Sequence, residues 1–440
     1  MKKILAIILA LAMVLCLAAC GGDSETPAGG ETPADGVTDT TDGGSGQPSG
    51  GSNDGGNQPS GGNQPSGGAT GTGYASERTL NKSGAVSVTD KLANTYYKLN
   101  TEKKLKVAYL GGSVTGGTGG TGGYSWAYAT TEWFKQKFPS ATIDAKNFAW
   151  GGTSSFWGYF RMSEDNTGKD NVIAFNPDII FVEFSVNDAY AHITEMQSSY
   201  YMEGIVKKLR AANPKCDIVI VFVTNKDRQD TEDKYIIAHK AVASHYGIPT
   251  INVGKALVEK ISKTGAKWED YVTDMVHPNN EGYKVYADCI ADNLNKLLIT
   301  TPDKSGYKDH AKPANDLVSN QSTGSYLIKA DTITNQTGFS AIKSNSVNCP
   351  SLGGKHMLAK KGAKMTVEFE GRGFGFLCDG GTGGKIKITV AGKSVTVDVM
   401  GGNNFEYPAI ENLNPGKYTA EIEVLAAGTK VAIGGFLVEK

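Results

Sequence analysis

Asp178-Ile-Ile-Phe-Val-Glu-Phe184 is a seven-residue run with apolar, mostly β-branched or aromatic side chains on both faces of an extended chain. A strand with one wet face alternates apolar and polar positions. A run apolar on both faces belongs to a parallel sheet covered by helices on either side. Similar runs lie at Lys104–Leu110, Thr142–Phe148, Asp217–Val223 and Pro249–Val253. Helical stretches near Tyr124–Phe138, Thr194–Ala212, Glu232–Tyr246 and Asn279–Leu298 fall between or after them. Strand and helix in alternation predict a three-layer α/β/α domain with a parallel sheet, over residues 74–300.

After Thr300 the pattern changes. Short alternating runs appear at Met365–Glu370, Phe374–Leu377, Lys385–Val390, Ser394–Val399, Lys417–Val424 and Val431–Val438, punctuated by Gly, Asn and Asp. No long helical period intervenes. These runs predict an antiparallel β-sandwich over residues 301–440, with 301–325 a polar connector of open ownership.

The chain opens with Met-Lys-Lys, an apolar run from Ile4 to Leu17, and Leu17-Ala-Ala-Cys20. This reads as a signal peptide over residues 1–20. Its end resembles a bacterial lipobox, which implies lipid on Cys20 and a protein held on the outer side of the cell membrane. From Gly21 to Gly73 there is no aromatic residue, Lys or Arg, and Gln-Pro-Ser-Gly-Gly recurs at Gln47, Gln58 and Gln64. Such a stretch buries almost nothing, so a disordered tether is expected, spanning about 40 Å as a flexible coil. The formal net charge is −1 and no basic cluster occurs, which argues against nucleic acid as a partner. Cys216, Cys289, Cys349 and Cys378 form no Cys-x-x-Cys pair, so a zinc ribbon is excluded.

Four short blocks carry chemistry: Leu110-Gly-Gly-Ser113, Asn147-Phe-Ala-Trp-Gly-Gly152-Thr-Ser, Ser185-Val-Asn187-Asp188 and Asp274-Met-Val-His277-Pro278. Each follows a predicted strand or precedes a helix. Thr115 breaks Gly-x-Ser-x-Gly, so the nucleophile elbow of α/β-hydrolases is not indicated. In order and spacing the blocks resemble the SGNH (GDSL-like) hydrolase superfamily over roughly residues 104–299. That resemblance implies a flavodoxin-like fold, Ser113 as nucleophile, His277 as base and Asp274 as its orienter. It implies an oxyanion hole from the backbone N–H groups of Ser113 and Gly152 and the amide of Asn187. The pattern departs at Ser185, where the family usually has Gly, and this bears on the geometry of the Asn187 donor. Neither cofactor nor metal is implied.

Other features invite rival readings. Gly117-Thr-Gly-Gly-Thr-Gly122 formally matches a dinucleotide fingerprint, but Ser113 lies between it and the strand end, so a loop beside the nucleophile is the better reading. His192, His239, His245, His310 and His356 lack metal-ligand spacing, and Glu183 with Asp188 reads as structural rather than as a glycosidase pair. Trp150 and Trp157 offer a sugar-facing surface or core packing. The second domain, through Val367–Phe376 and the run from Asn412 to Ile422, resembles jelly-roll accessory domains of carbohydrate esterases. The expectation is an exported serine esterase deacetylating an O-acetylated polysaccharide or cell-wall glycan. A lipase, thioesterase or arylesterase and a non-catalytic glycan-binding lipoprotein are the alternatives. Provided the first domain folds without it, the β-domain is expected to be dispensable for small esters and to aid release of acetate from polysaccharide.

Overall fold

A computed structural model describes residues 73–86, 91–162, 171–191, 193–229, 233–298, 306–322, 324–343, 354–379, 381, 383–400, 406–428 and 431–440. The signal peptide with Cys20, nearly all of the tether, His192 and Cys349 lie outside the described residues.

Five parallel strands form the first sheet: β1 (Lys104–Gly111), β2 (Thr142–Asn147), β3 (Ile179–Glu183), β4 (Asp217–Phe222) and β5 (Thr250–Asn252), in the order β2-β1-β3-β4-β5. This is the flavodoxin-like order, whose direction reverses between β1 and β3. The period-2 geometry of a strand separates the two cores. Ala108, Leu110, Ile180, Val182, Ile218 and Ile220 face one way; Val107, Tyr109, Ile179, Phe181, Val219 and Val221 face the other. The first face is covered by α2 (Ser155–Arg161), α4 (Glu195–Ala212) and α5 (Lys234–His245). The second is covered by α1 (Trp126–Lys137), α6 (Val253–Thr264) and α7 (Asn280–Leu297). A short helix, α3 (Ser185–Tyr190), follows β3 directly.

Helix starts follow the sequence closely. The Asp233 carboxylate accepts the N–H groups of Tyr235 and Ile236, and Thr194 with Gln197 makes a reciprocal capping box on α4. The last strand is shorter than expected, because Asn252 caps α6 and Val253 is already helical.

The second sheet is antiparallel and continuous, with nine strands: β6 (Ser325–Lys329), β7 (Gln336–Lys343), β8 (Lys355–Gly371), β9 (Gly373–Asp379), β10 (Gly384–Val390), β11 (Lys393–Val399), β12 (Glu406–Ile410), β13 (Gly416–Ala427) and β14 (Ala432–Glu439). Strand β8, seventeen residues long, pairs β13 through Lys364–Gly371 and meets β14 at Met357 and Leu358. One long strand thus ties both sides of the fold, nearly a barrel, around Val367, Phe376, Ile386, Ile422 and Phe436.

Two flanking segments pack as follows. Residues 306–318 pack on the first domain: Tyr307 stacks on Tyr97, and the backbone N–H groups of Leu317 and Val318 donate to the buried Glu203. The first described residues run along the β-domain instead, where Ala75 N–H donates to the Asn412 carbonyl.

The β-domain is not a separable appendage. Leu377 and Leu437 belong to the same apolar core as Phe156, Tyr159 and Tyr201. Arg78 bridges Glu411 and Glu439, while the hydroxyls of Tyr200 and Tyr201 donate to Glu439 and Glu411. Cutting the chain at 326 would expose these rings and remove both carboxylates that pair Arg78, so the proviso that the first domain folds alone is the step at risk.

Candidate active site

Strand β1 ends at Gly111, and Ser113 opens a one-turn helix, Ser113–Gly116, at the carboxyl end of the sheet. This is the switch point between β1 and β3, where open α/β sheets hold ligands. Gly112 is required there: a Cβ would lie 2.3 Å from Asn187 Nδ2. The Asn187 amide therefore packs directly against the turn that presents Ser113.

His277 arrives on the loop before α7. Its Nε2 lies 2.8 Å from Ser113 Oγ, and its Nδ1 lies 2.7 Å from Asp274 Oδ2. Asp274 Oδ1 accepts the backbone N–H groups of Val276 and His277, both at 2.8 Å. Partial burial pulls the Asp274 carboxyl upward, but its bonds from His277 and these two N–H groups hold it below its ordinary value. Ser113 and His277 are partly exposed and Asp274 is half exposed, so the chain of three opens to solvent.

The glycine-rich loop fixes this geometry. Gly119 has φ +91, and a Cβ there would lie 2.5 Å from the Pro278 carbonyl and 3.1 Å from His277 Cβ. Asn280 bonds Thr121 twice, and the Tyr283 hydroxyl lies 2.7 Å from the Thr118 carbonyl and 3.1 Å from that of Val114. The loop holds the Ser113 turn against the His277 segment.

The second block lies over Ser113, with a Cβ at Gly151 falling 3.7 Å from Ser113 Cβ. Gly152 has φ +72, a conformation that favours glycine. Asn187 Nδ2 donates to the Thr153 carbonyl at 2.8 Å, which joins the second and third blocks. Ser185 is fully buried, so its side chain does not enter the cleft.

Behind these groups lies a set of buried carboxyls. Asp188 accepts from Ser155 N–H and Oγ, Ser198 Oγ and His239 Nε2 at 2.5–3.0 Å. Glu183 accepts from Thr115 Oγ1, and burial, reinforced by Asp188, pushes its carboxyl up to about 7. Glu406, from the β-domain, accepts the Ser154 N–H at 2.6 Å. Glu183 and Asp188 flank the third block and were visible in the sequence; Glu406 and its bond to Ser154 carried no sequence signal.

Among the other residues singled out, Trp157 is buried, 2% exposed, and offers no sugar platform, whereas Trp150 is partly exposed. His239, His245 and His310 bond Asp188, the Asn315 carbonyl and Asp217. Cys216, Cys289 and Cys378 are free. One exposed ring was not anticipated. Tyr190, three residues after Asn187, is 44% exposed, is held by a bond from Asn225 and has the Arg228 guanidinium over its ring.

Residues 109–285 match the GDSL-like Lipase/Acylhydrolase family. The chain carries a GDSL-like, SGNH-type hydrolase domain. All four blocks of this GDSL-like domain fall inside the match. Two crystal structures of a two-domain esterase active on acetylated mannans, one co-crystallised with mannopentaose, resemble the chain over both domains. Their TM-scores are 0.66 and 0.65, with 20% and 21% identity, over 82% of this chain and 99% and 98% of theirs. At that identity the likeness speaks for a shared two-domain fold. No curated protein sequence matches the chain.

Proposed function

We propose that the protein is an exported serine esterase that removes acetyl groups from an O-acetylated polysaccharide through an acyl-enzyme. The observation that carries this reading is the hydrogen-bonded chain Ser113–His277–Asp274, with both bonds within 2.8 Å. Serine reacts only when a neighbouring base takes its proton. His277 Nε2 is placed to take the Oγ proton as Ser113 attacks the acetyl carbonyl, and to return it to the departing sugar hydroxyl. Asp274 holds the imidazole tautomer with Nδ1 protonated and steadies the imidazolium. Water then attacks the acyl-serine by the same route in reverse.

The negative charge on the tetrahedral oxygen falls to the backbone N–H groups of Ser113 and Gly152 and the Asn187 amide. One Asn187 amide hydrogen is committed to Thr153; the other is available to the oxygen. The Thr153 bond keeps that amide oriented before substrate arrives.

The solvent-exposed chain of Ser113, His277 and Asp274, the partly exposed Trp150 and the anchored Tyr190 favour a broad ligand with flat apolar faces, as sugars have. The similar esterase is active on acetylated mannans, which makes acetylated mannan the first polymer to assay. In this reading Cys20 carries lipid and the tether lets the enzyme reach its polymer outside the cell. Acetate release is measured over acetylated mannan, xylan, pectin and peptidoglycan, beside p-nitrophenyl acetate and decanoate. Release from at least one glycan with preference for acetate is the expected result. Activity on long-chain esters alone would assign a lipase, and no turnover of any ester would leave a binding protein.

A further inference from the structure

Glu406 is the first residue of β12, yet its side chain ends in the other domain. It is 5% exposed, and Oε1 accepts the Ser154 N–H at 2.6 Å. Ser154 caps α2 and lies two residues after Gly152. The segment from 153 to 155 is therefore held at every residue. Asn187 takes the Thr153 carbonyl, Glu406 takes the Ser154 N–H, and Asp188 takes the N–H and hydroxyl of Ser155. Two of these holds come from α3, beside the site. The third comes from the β-domain.

The packing around Glu406 reinforces the link. Phe156 lies against Gly375 of β9, where a Cβ would come within 2.8 Å of the ring. Arg161, at the far end of α2, donates to the carbonyls of Phe148, just after β2, and Gly111, two residues before Ser113. Burial, then the charge of Asp188, raises the Glu406 carboxyl to about 8, opposed by its bonds from Ser154 and the charge of Arg161. Its second oxygen, Oε2, is buried without a hydrogen-bond partner among the described residues. A carboxyl that finds so little compensation is costly to bury for packing alone. Its one strong directional contact is with the chain that presents Gly152.

We propose that Glu406 is a positioning residue: the β-domain uses it to fix Ser154, and through Ser154 the Gly152 N–H that receives the oxyanion. The inference rests on the esterase reading for its kinetic consequence, not for the loop geometry. It gives the second domain a part in turnover of every ester, large or small.

The test compares Glu406→Ala, Glu406→Gln and wild type with p-nitrophenyl acetate, counting active sites by fluorophosphonate titration. Gln keeps an acceptor for the Ser154 N–H; Ala removes it. Because a lost oxyanion donor costs on the order of 10²–10³ in kcat, displacing one through its neighbour is expected to cost roughly 10- to 100-fold. The expected result is such a fall in kcat per titrated site for E406A at unchanged KM, with E406Q within about threefold of wild type. Amide exchange should rise in the 150–155 peptide of E406A alone. Unchanged kcat per site in E406A would overturn the proposal. So would faster exchange spread through both domains with a matching loss in E406Q, which would mark a merely structural group. If E406A does not fold, Glu406→Asp, one methylene shorter, takes its place with the same outcomes. Should Ser113→Ala keep wild-type turnover, the esterase reading fails by itself, and amide exchange still decides whether Glu406 holds the loop.

Discussion

Replacing Gly119 with Ala tests whether the glycine-rich loop sets the distance between Ser113 and His277. Two costs can be separated. A non-glycine residue at φ +91 carries a backbone penalty of about 1–3 kcal/mol. The new Cβ would also lie 2.5 Å from the Pro278 carbonyl, 3.0 Å from Thr273 Oγ1 and 3.1 Å from His277 Cβ. Relief takes a shift of roughly 0.5–1 Å in the chain that carries His277, and misplacements of that size cost on the order of 10²-fold in rate. Gly122 supplies the control, because it has φ +64 and nothing within 4 Å of a built Cβ. Gly122→Ala bears only the backbone penalty. With p-nitrophenyl acetate, Gly119→Ala should lose about two orders of magnitude in kcat, while Gly122→Ala stays near wild type at similar stability. Equal kcat in the two variants would refute the idea that this loop positions the base.

Other perturbations separate the roles further. Asn187→Ala should lower kcat by about 2–4 kcal/mol of transition-state stabilisation with little change in KM; an effect on KM alone would remove Asn187 from the oxyanion role. His277→Ala should abolish turnover, and Asp274→Ala should be milder, because a carboxylate 51% exposed can be partly replaced by water; equal losses would contradict an orienting role. Stability should depend on Glu183. Its folded value of about 7 exceeds the ordinary 4.5, so its contribution is full below pH 4.5 and is lost as pH rises toward 7. Urea unfolding at pH 5 and pH 8.5 should show Glu183→Gln narrowing the difference by roughly 3 kcal/mol at most, and an unchanged difference would mean that Glu183 does not titrate in this way.

Much of the fold was legible because burial on both faces leaves an unmistakable run. The β3 sequence Ile-Ile-Phe-Val has no polar alternation, and the ends of β1, β2 and β3 lead into the first three functional blocks. What failed to show was whatever depends on the second domain. Helix α2, Ser-Phe-Trp-Gly-Tyr-Phe-Arg, is buried along its whole length between the sheet and the β-domain, so it has no wet face and no helical period. Trp157 misled for the same reason: its ring looks available until the covering domain is in place. Glu406 sits in a stretch with no motif, and its partner Ser154 is 252 residues away. Ser185, where the family pattern has Gly, is the first residue of α3 and its side chain is fully buried. Local pattern reports burial; it does not report which distant element does the burying.

In the proposed mechanism Ser113 forms the acyl-enzyme. Acid quenching within the first turnovers of p-nitrophenyl acetate, followed by peptide mass spectrometry, reads this directly. An acetyl adduct is expected on the peptide holding Ser113, absent in Ser113→Ala, which should also be inactive, and absent or much weaker in His277→Ala, which lacks the base for acylation. An adduct on another residue, or wild-type turnover by Ser113→Ala, would contradict it.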